Sequence, residues 1–173
     1  CGRIANRFIE ESKYVSGVNV KGVFGTNQDS LKKFVEKHEL AFFEINYDTF
    51  LEQINAVYIA SPHLTHYEYV KRALDNKKHV LCEKPMALRA EQIQELYKKA
   101  EENECVLLEA IKTAYAPGFI RLISLAKSGI IGNIKNVDAT FTKLVNGDVR
   151  ELKASSAGGS VTELASYPLL AIV

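Results

Sequence analysis

Residues 79–85 read His79-Val80-Leu81-Cys82-Glu83-Lys84-Pro85, a strand-like run that ends in two charges and a proline. Upstream, Ala56-Val57-Tyr58-Ile59-Ala60 closes on Ser61-Pro62. Short apolar runs without an alternating polar face suit strands buried on both sides, as in a parallel sheet. Between the two runs Tyr67, Val70 and Leu74 recur at helical spacing, and after Pro85 so do Ile93, Leu96, Tyr97 and Ala100. Strands separated by single helices require right-handed crossovers, hence a parallel, doubly wound sheet. Lys84 then stands just past a strand's carboxyl end, the edge at which open α/β sheets bind ligands.

The pattern extends both ways. Val18 to Phe24 predicts a strand ending in the turn Gly25-Thr26-Asn27. Leu31, Phe34, Val35 and His38 mark the next helix, with Asn27 or Asp29 as its cap. Ala41-Phe42-Phe43 is a short apolar run, Tyr47–Gln53 a brief helix, and Val106-Leu107-Leu108 one more strand. Past residue 115 the pattern changes. Pro117 to Ser128 reads as a helix with Phe119, Leu122, Ile123 and Ala126 on one side and Gly129 as its stop. Ile134 to Leu144 sets Ile134, Val137, Ala139 and Phe141 against Lys135, Asp138, Thr140 and Thr142, which predicts an antiparallel strand with one solvated face. The expected fold class is α/β: a Rossmann-type doubly wound parallel sheet over residues 1–115, then the start of an α+β domain with an antiparallel sheet over residues 116–173.

Bulk properties bound the function. With 47% hydrophobic and 25% charged residues, the 173-residue chain is expected to pack a core. Its net charge of +1, from 22 basic and 21 acidic residues, carries no surplus that points to nucleic acid. No stretch of about 18 apolar residues predicts a membrane span, and no secretory signal pattern opens the chain. The 3 cysteines form no CxxC pair, and the 4 histidines show no HExxH spacing. Buried thiols in a reducing, cytoplasmic setting and no metal site are the expectation.

Four segments in order then resemble one family. Cys1-Gly2-Arg3-Ile4-Ala5 matches the last five positions of GxGxxA; Ser61-Pro62 is followed by His66; Glu83-Lys84-Pro85 comes next; and Gly158-Gly159-Ser160-Val161-Thr162-Glu163-Leu164-Ala165-Ser166-Tyr167-Pro168 is similar to a GGxLxDxGxYP stretch. Together they resemble the Gfo/Idh/MocA oxidoreductases, the glucose–fructose oxidoreductase and inositol dehydrogenase superfamily.

The resemblance implies an NAD(P)-dependent enzyme acting on a sugar, cyclitol or related hydroxyl or carbonyl compound. It implies Lys84 as the group that polarises the reacting oxygen, Tyr167 as general acid or base with Lys84 lowering its pKa, and Glu163 as an orienting carboxylate in the family's Asp position, sharing a helix face with Tyr167. Gly2, Arg3 and Ile4 would receive the pyrophosphate at a helix N-terminus. Gly25, Thr26 and Asn27 would meet the ribose, while Ser61, Pro62, His66, Glu83 and Lys84 would line the cofactor side. The turn Gly25-Thr26-Asn27 carries neither the acid of NAD readers nor an Arg, and the missing carboxylate leans toward NADP over NAD. Glu163, Ala165 in place of glycine, and Ala114 where many members carry Arg depart from the family pattern and leave the substrate open; Lys112 is a candidate to compensate for Ala114.

A small-molecule partner and a homo-oligomer through the second domain are expected by the same resemblance. The rival reading is a dinucleotide-binding sensor or scaffold that kept the fold without the chemistry. A reductase for a non-sugar ring stays within the first reading. A complete family member has a strand before Gly2 and a long open-faced sheet after it, so the chain is expected to be a fragment whose parallel sheet lacks its central strand.

Overall fold

A computed structural model describes residues 2–172; Cys1 and Val173 lie outside the described residues, and with Cys1 the first of the five glycine-motif positions present. The chain runs α1 (Arg3–Ser12), β1 (Gly22–Phe24), α2 (Gln28–His38), β2 (Phe42–Glu44), α3 (Tyr47–Glu52), β3 (Ala56–Ile59), α4 (His63–Asp75), β4 (His79–Cys82), α5 (Ala90–Glu102) and β5 (Leu107–Glu109). After a 3-10 turn at Lys112–Tyr115 come α6 (Pro117–Lys127), two further 3-10 turns, α7 (Ser160–Leu164) and α8 (Ser166–Ile172).

Each element has a local cause. Asn27, not Asp29, caps α2: its Oδ1 accepts from the Ser30 amide at 2.9 Å. Asn46 does the same for α3, accepting from the Asp48 and Thr49 amides. Gly22 lets the Phe42 ring of the partner strand lie over β1, because a Cβ there would meet that ring at 2.5 Å and displace it. Of the strand expected from Val18, only Gly22–Phe24 is realised, since β2 offers three residues to pair with.

The sheet departs from expectation in two ways. The anticipated antiparallel sheet is absent: both sheets are parallel, and among the described residues no strand follows β5. Residues 134–146 hold no regular secondary structure, and Ile134, Val137 and Phe141 stay about half exposed. Alternation prescribes which side chains share a face. It does not supply the neighbouring strand that backbone N–H and C=O groups require. The parallel part is also divided, into β1-β2 and β3-β4-β5, because no strand of the described residues pairs with both β1 and β3. Aromatic packing joins the two: Phe24 lies 4.8 Å from the Tyr47 ring and 5.4 Å from Tyr69 on α4, and the Tyr47 hydroxyl donates to the Tyr69 carbonyl.

The core fills one face of β3-β4-β5. Val57, Ile59, Val80, Cys82 and Leu107 from the strands meet Val70, Ala73 and Leu74 of α4 and Leu96 and Ala100 of α5. The other face is only partly covered, so β3 is not buried on both sides: Tyr58 is half-buried under Phe8 of α1, rings stacked at 3.8 Å. Tyr97, expected on an inner stripe, is about half exposed at the margin of α5, whereas Tyr67 is partly buried against the core with its hydroxyl reaching Glu95 of α5. No helix among the described residues is long and apolar enough to cross a membrane.

Candidate active site

The turns after β3 and β4 lie side by side because the strands pair in register, Ile59 opposite Cys82. His66 ties them together. It is fully buried, with Nδ1 2.8 Å from the Pro85 carbonyl and Nε2 2.9 Å from the Ser61 carbonyl. Both ring nitrogens are thus engaged by backbone. Burial pulls its pKa below the ordinary histidine value, against the two carbonyls. The Thr65 hydroxyl lies between the Ser61 hydroxyl and the Pro62 carbonyl and completes the first turn. Beyond the cis Lys84-Pro85 peptide, the Met86 amide donates to the Glu109 carboxylate at 2.7 Å.

Side-chain alternation sends Glu83 and Lys84 opposite ways. Glu83 turns toward α1 and accepts from the Tyr58 hydroxyl at 2.7 Å, while burial and that carboxylate push the phenol pKa up. Lys84 turns toward the end of the chain. Its ammonium donates to the Glu163 carbonyl at 2.7 Å, lies 3.6 Å from the Glu163 carboxylate, and stands 5.8 Å from the Tyr167 ring centre. These partners are 79 and more residues away in sequence. The lysine takes a carbonyl in the last turn of α7, where Pro168, lacking an N–H, cannot continue the helix from Leu164. Glu163 and Tyr167 therefore sit on two short helices broken at Ala165 rather than on one continuous face.

Tyr167 differs from expectation in its electrostatics. Burial, then the charges of Glu83 and Glu163, raise its pKa. Lys84 approaches the ring face rather than bonding the hydroxyl, and Phe141 covers the ring at 4.4 Å. Gly158 and Gly159 shape the turn before α7: a Cβ on Gly158 would meet the Glu151 carbonyl at 2.6 Å, and Gly159 has φ of 117°.

A cavity of about 210 Å³ is lined by Ile4, Phe8 and Glu11 of α1, Tyr58, Leu81, Glu83, Ala110, Lys112 and Tyr115. It joins the start of α1 to the carboxyl ends of β4 and β5. Lys112 and Ala114 lie on the 3-10 turn after β5, not on a strand end, and Lys112 faces this cavity beside Glu83. A larger hollow of about 570 Å³ runs between α5 and β5 past Tyr97 and Cys105 and contains none of these groups. Gly2 stands before α1 with open space where a Cβ would project. Gly25, Thr26 and Asn27 follow β1, and the Asn27 oxygen is engaged in capping. Gly2, Arg3 and Ile4 thus lie at one helix end near Glu83, whereas Lys84, Glu163 and Tyr167 form a separate cluster across the strand end. Tyr58, Glu109, Phe141 and His63 join the site without a site role expected from the sequence; a tyrosine alternating with Val57 and Ile59 is the one signal available there, for Tyr58. Among the described residues no group of three His, Cys, Asp or Glu side chains is arranged to hold a metal.

The model of a family described as "Oxidoreductase family, NAD-binding Rossmann fold" matches residues 1–111. The chain is 33% identical over 140 residues to scyllo-inositol 2-dehydrogenase (NADP(+)) of Bacillus subtilis, covering 80% of this chain and 42% of that protein. It is 26% identical over 170 residues to trans-1,2-dihydrobenzene-1,2-diol dehydrogenase of Xenopus tropicalis, covering 96% of this chain and 52% of that one. The crystal structure of a 3-ketoreductase from Actinomadura kijaniata with NADP and TDP-benzene superposes with a TM-score of 0.84 at 28% identity, over 98% of this chain and 53% of that chain. The chain thus spans about half the length of the relatives it matches.

Proposed function

The chain belongs to the Gfo/Idh/MocA oxidoreductase family, and from that premise we propose that it serves NAD(P)-dependent oxidation or reduction of a hydroxyl- or carbonyl-bearing small molecule of the sugar or cyclitol class. The observation that carries this reading is the convergence of Lys84 with Glu163 and the Tyr167 ring beside the carboxyl end of β4. An ammonium at that position stabilises negative charge developing on the reacting oxygen. The Glu163 carboxylate keeps it oriented. Tyr167, its pKa raised, holds its proton at neutral pH and is suited to donate it to the oxygen of a carbonyl being reduced.

The residues fit a nicotinamide dinucleotide. Gly2 leaves room for close approach, and the first amides of the 10-residue α1 point at the same end. Gly2, Arg3 and Ile4 would hold the pyrophosphate, Gly25, Thr26 and Asn27 the ribose, and Ser61, Pro62 and Glu83 the nicotinamide side, with His66 bracing the two turns from behind. When bound, the nicotinamide supplies the hydride donor or acceptor. NADP is the expected form: the turn Gly25-Thr26-Asn27 after β1 holds no carboxylate to repel a 2′-phosphate, and NADP is named for two of the relatives above.

We assign residues 1–115 to the dinucleotide-binding unit and 116–173 to the beginning of a substrate and oligomerisation unit. Ile120, Leu122, Ile130 and Ile131 are exposed in the latter and support self-association there. The test is a spectrophotometric screen of scyllo-inositol, D-xylose and trans-1,2-dihydrobenzene-1,2-diol with NADP and with NAD. Turnover of at least one with NADP upholds the reading. Calorimetric binding of NADP with turnover of none would favour a sensor or scaffold.

A further inference from the structure

His63 is the first residue of α4, 7% exposed, and has no part in the chemistry described so far. Its Nδ1 lies 3.4 Å from the Ala157 carbonyl and 3.6 Å from the Glu163 carboxylate. Those two oxygens flank the Gly158-Gly159 turn and the start of α7. The other Glu163 oxygen is the one 3.6 Å from the Lys84 ammonium. The carboxylate therefore stands between a lysine from the turn after β4 and a histidine from the helix after β3. An aspartate, one methylene shorter, would span that gap less readily, which gives the glutamate at position 163 a physical use.

We infer that His63 is a positioning residue: its Nδ1–H donates to the Ala157 carbonyl and faces the Glu163 carboxylate, which pins the 157–163 segment against α4 and so keeps Glu163 on Lys84. Both acceptors lie on one side of the ring, so the proton belongs on Nδ1. The other groups facing the imidazole are the His66 ring, 5.6 Å away on the same helix, and, through Glu163, the Lys84 ammonium. The inference rests on the reading of Lys84 and Glu163 as reacting-site groups, yet the pinning itself can be measured without turnover.

The experiment compares the full chain carrying His63→Phe, which removes the donor, with His63→Asn, which keeps an N–H near the Nδ1 position. Lysines are acetylated with limiting acetic anhydride and quantified by peptide mass spectrometry. Lys84, 13% exposed and held by Glu163, is the reporter; Lys99, 23% exposed and paired with Asp75, is the control. His63→Phe is expected to raise Lys84 labelling about fivefold, the population change that one net hydrogen bond sustains. His63→Asn should stay within about twofold of the parent protein, and Lys99 should not respond to either. Unchanged Lys84 labelling in His63→Phe overturns the inference. So does a parallel rise at Lys99, which would mean general loosening. On a polyol that the parent protein turns over, His63→Phe should lower kcat about fivefold with the KM for NADP unchanged; an unaltered kcat denies His63 any bearing on the reaction. If the parent turns over none of the three polyols, the proposed function falls, and the labelling result still decides the role of His63.

Discussion

The stretch from Arg3 to Glu109 and the stretch from Pro117 to Ile172 put a similar proportion of apolar residues to different ends. The first buries Leu31, Leu51, Val70, Leu74, Leu96 and Cys82 almost completely, whereas none of the described residues in the second is fully buried. The difference lies in partners rather than in residue types. α4 and α5 fall on a three-stranded parallel sheet whose strands hold one another in register. α6 and the Ile134–Leu144 segment have apolar faces and no comparable surface to lay them on. The site bridges the two regions, since Lys84 comes from the first and Glu163 and Tyr167 from the second.

The contrast can be broken most directly by equal truncations on either side. Leu96→Ala, at a fully buried position, should cost about 2–5 kcal/mol in urea unfolding. Leu122→Ala, at a position 59% exposed, should cost about 0.5 kcal/mol or less. Equal costs would show that α6 is covered in solution. Gly158→Ala comes next: the added methyl meets the Glu151 carbonyl at 2.6 Å, so the turn must shift. A loss of about 1–3 kcal/mol is expected, together with weaker catalysis because α7 would no longer sit over Lys84. A variant as stable and active as the parent would mean the turn is not held as described. Asn27→Ala removes the α2 cap and should cost about 1 kcal/mol by the same unfolding assay.

The smallest effect is one of pH. Tyr167 has a folded pKa above its unfolded value, so its contribution to stability is complete below the unfolded pKa of about 10 and is lost as pH rises through the folded value. Tyr167→Phe should flatten the alkaline fall of the thermal midpoint. Under the proposed role of the protonated phenol as donor, carbonyl reduction should hold across neutral pH and fall only in the alkaline range. A fall beginning near neutral pH would mean that Lys84 lowers the phenol pKa after all.

What was legible in the sequence follows the same division. Ala56–Ile59 and His79–Cys82 are read as parallel strands because their apolar runs are bounded by turns and separated by a helix pattern, and their hydrogen-bond partners lie within the chain described. Ile134–Leu144 has the right alternation, but alternation describes faces and not neighbours. The division of the sheet between β1 and β3 was equally invisible, because it depends on a pairing partner rather than on either strand's composition. At the site, Lys84 with Glu163 and Tyr167 was reachable through motif resemblance. The pairing of Tyr58 with Glu83 and of His63 with Glu163 was not, since it depends on which way alternate side chains leave a strand and a helix end. The direction of the Tyr167 shift was expected to follow Lys84. Burial and the two carboxylates outweigh it because the ammonium meets the ring face and bonds the Glu163 carbonyl instead.

The central claim is that Lys84 polarises the reacting oxygen. Single-turnover oxidation, by the NADP-loaded protein, of a polyol that the parent turns over, parent against Lys84→Met, tests it most directly. The rate constant should fall by about 10²–10³-fold while calorimetric affinity for NADP stays within about threefold. An unchanged rate constant at saturating NADP would contradict the account.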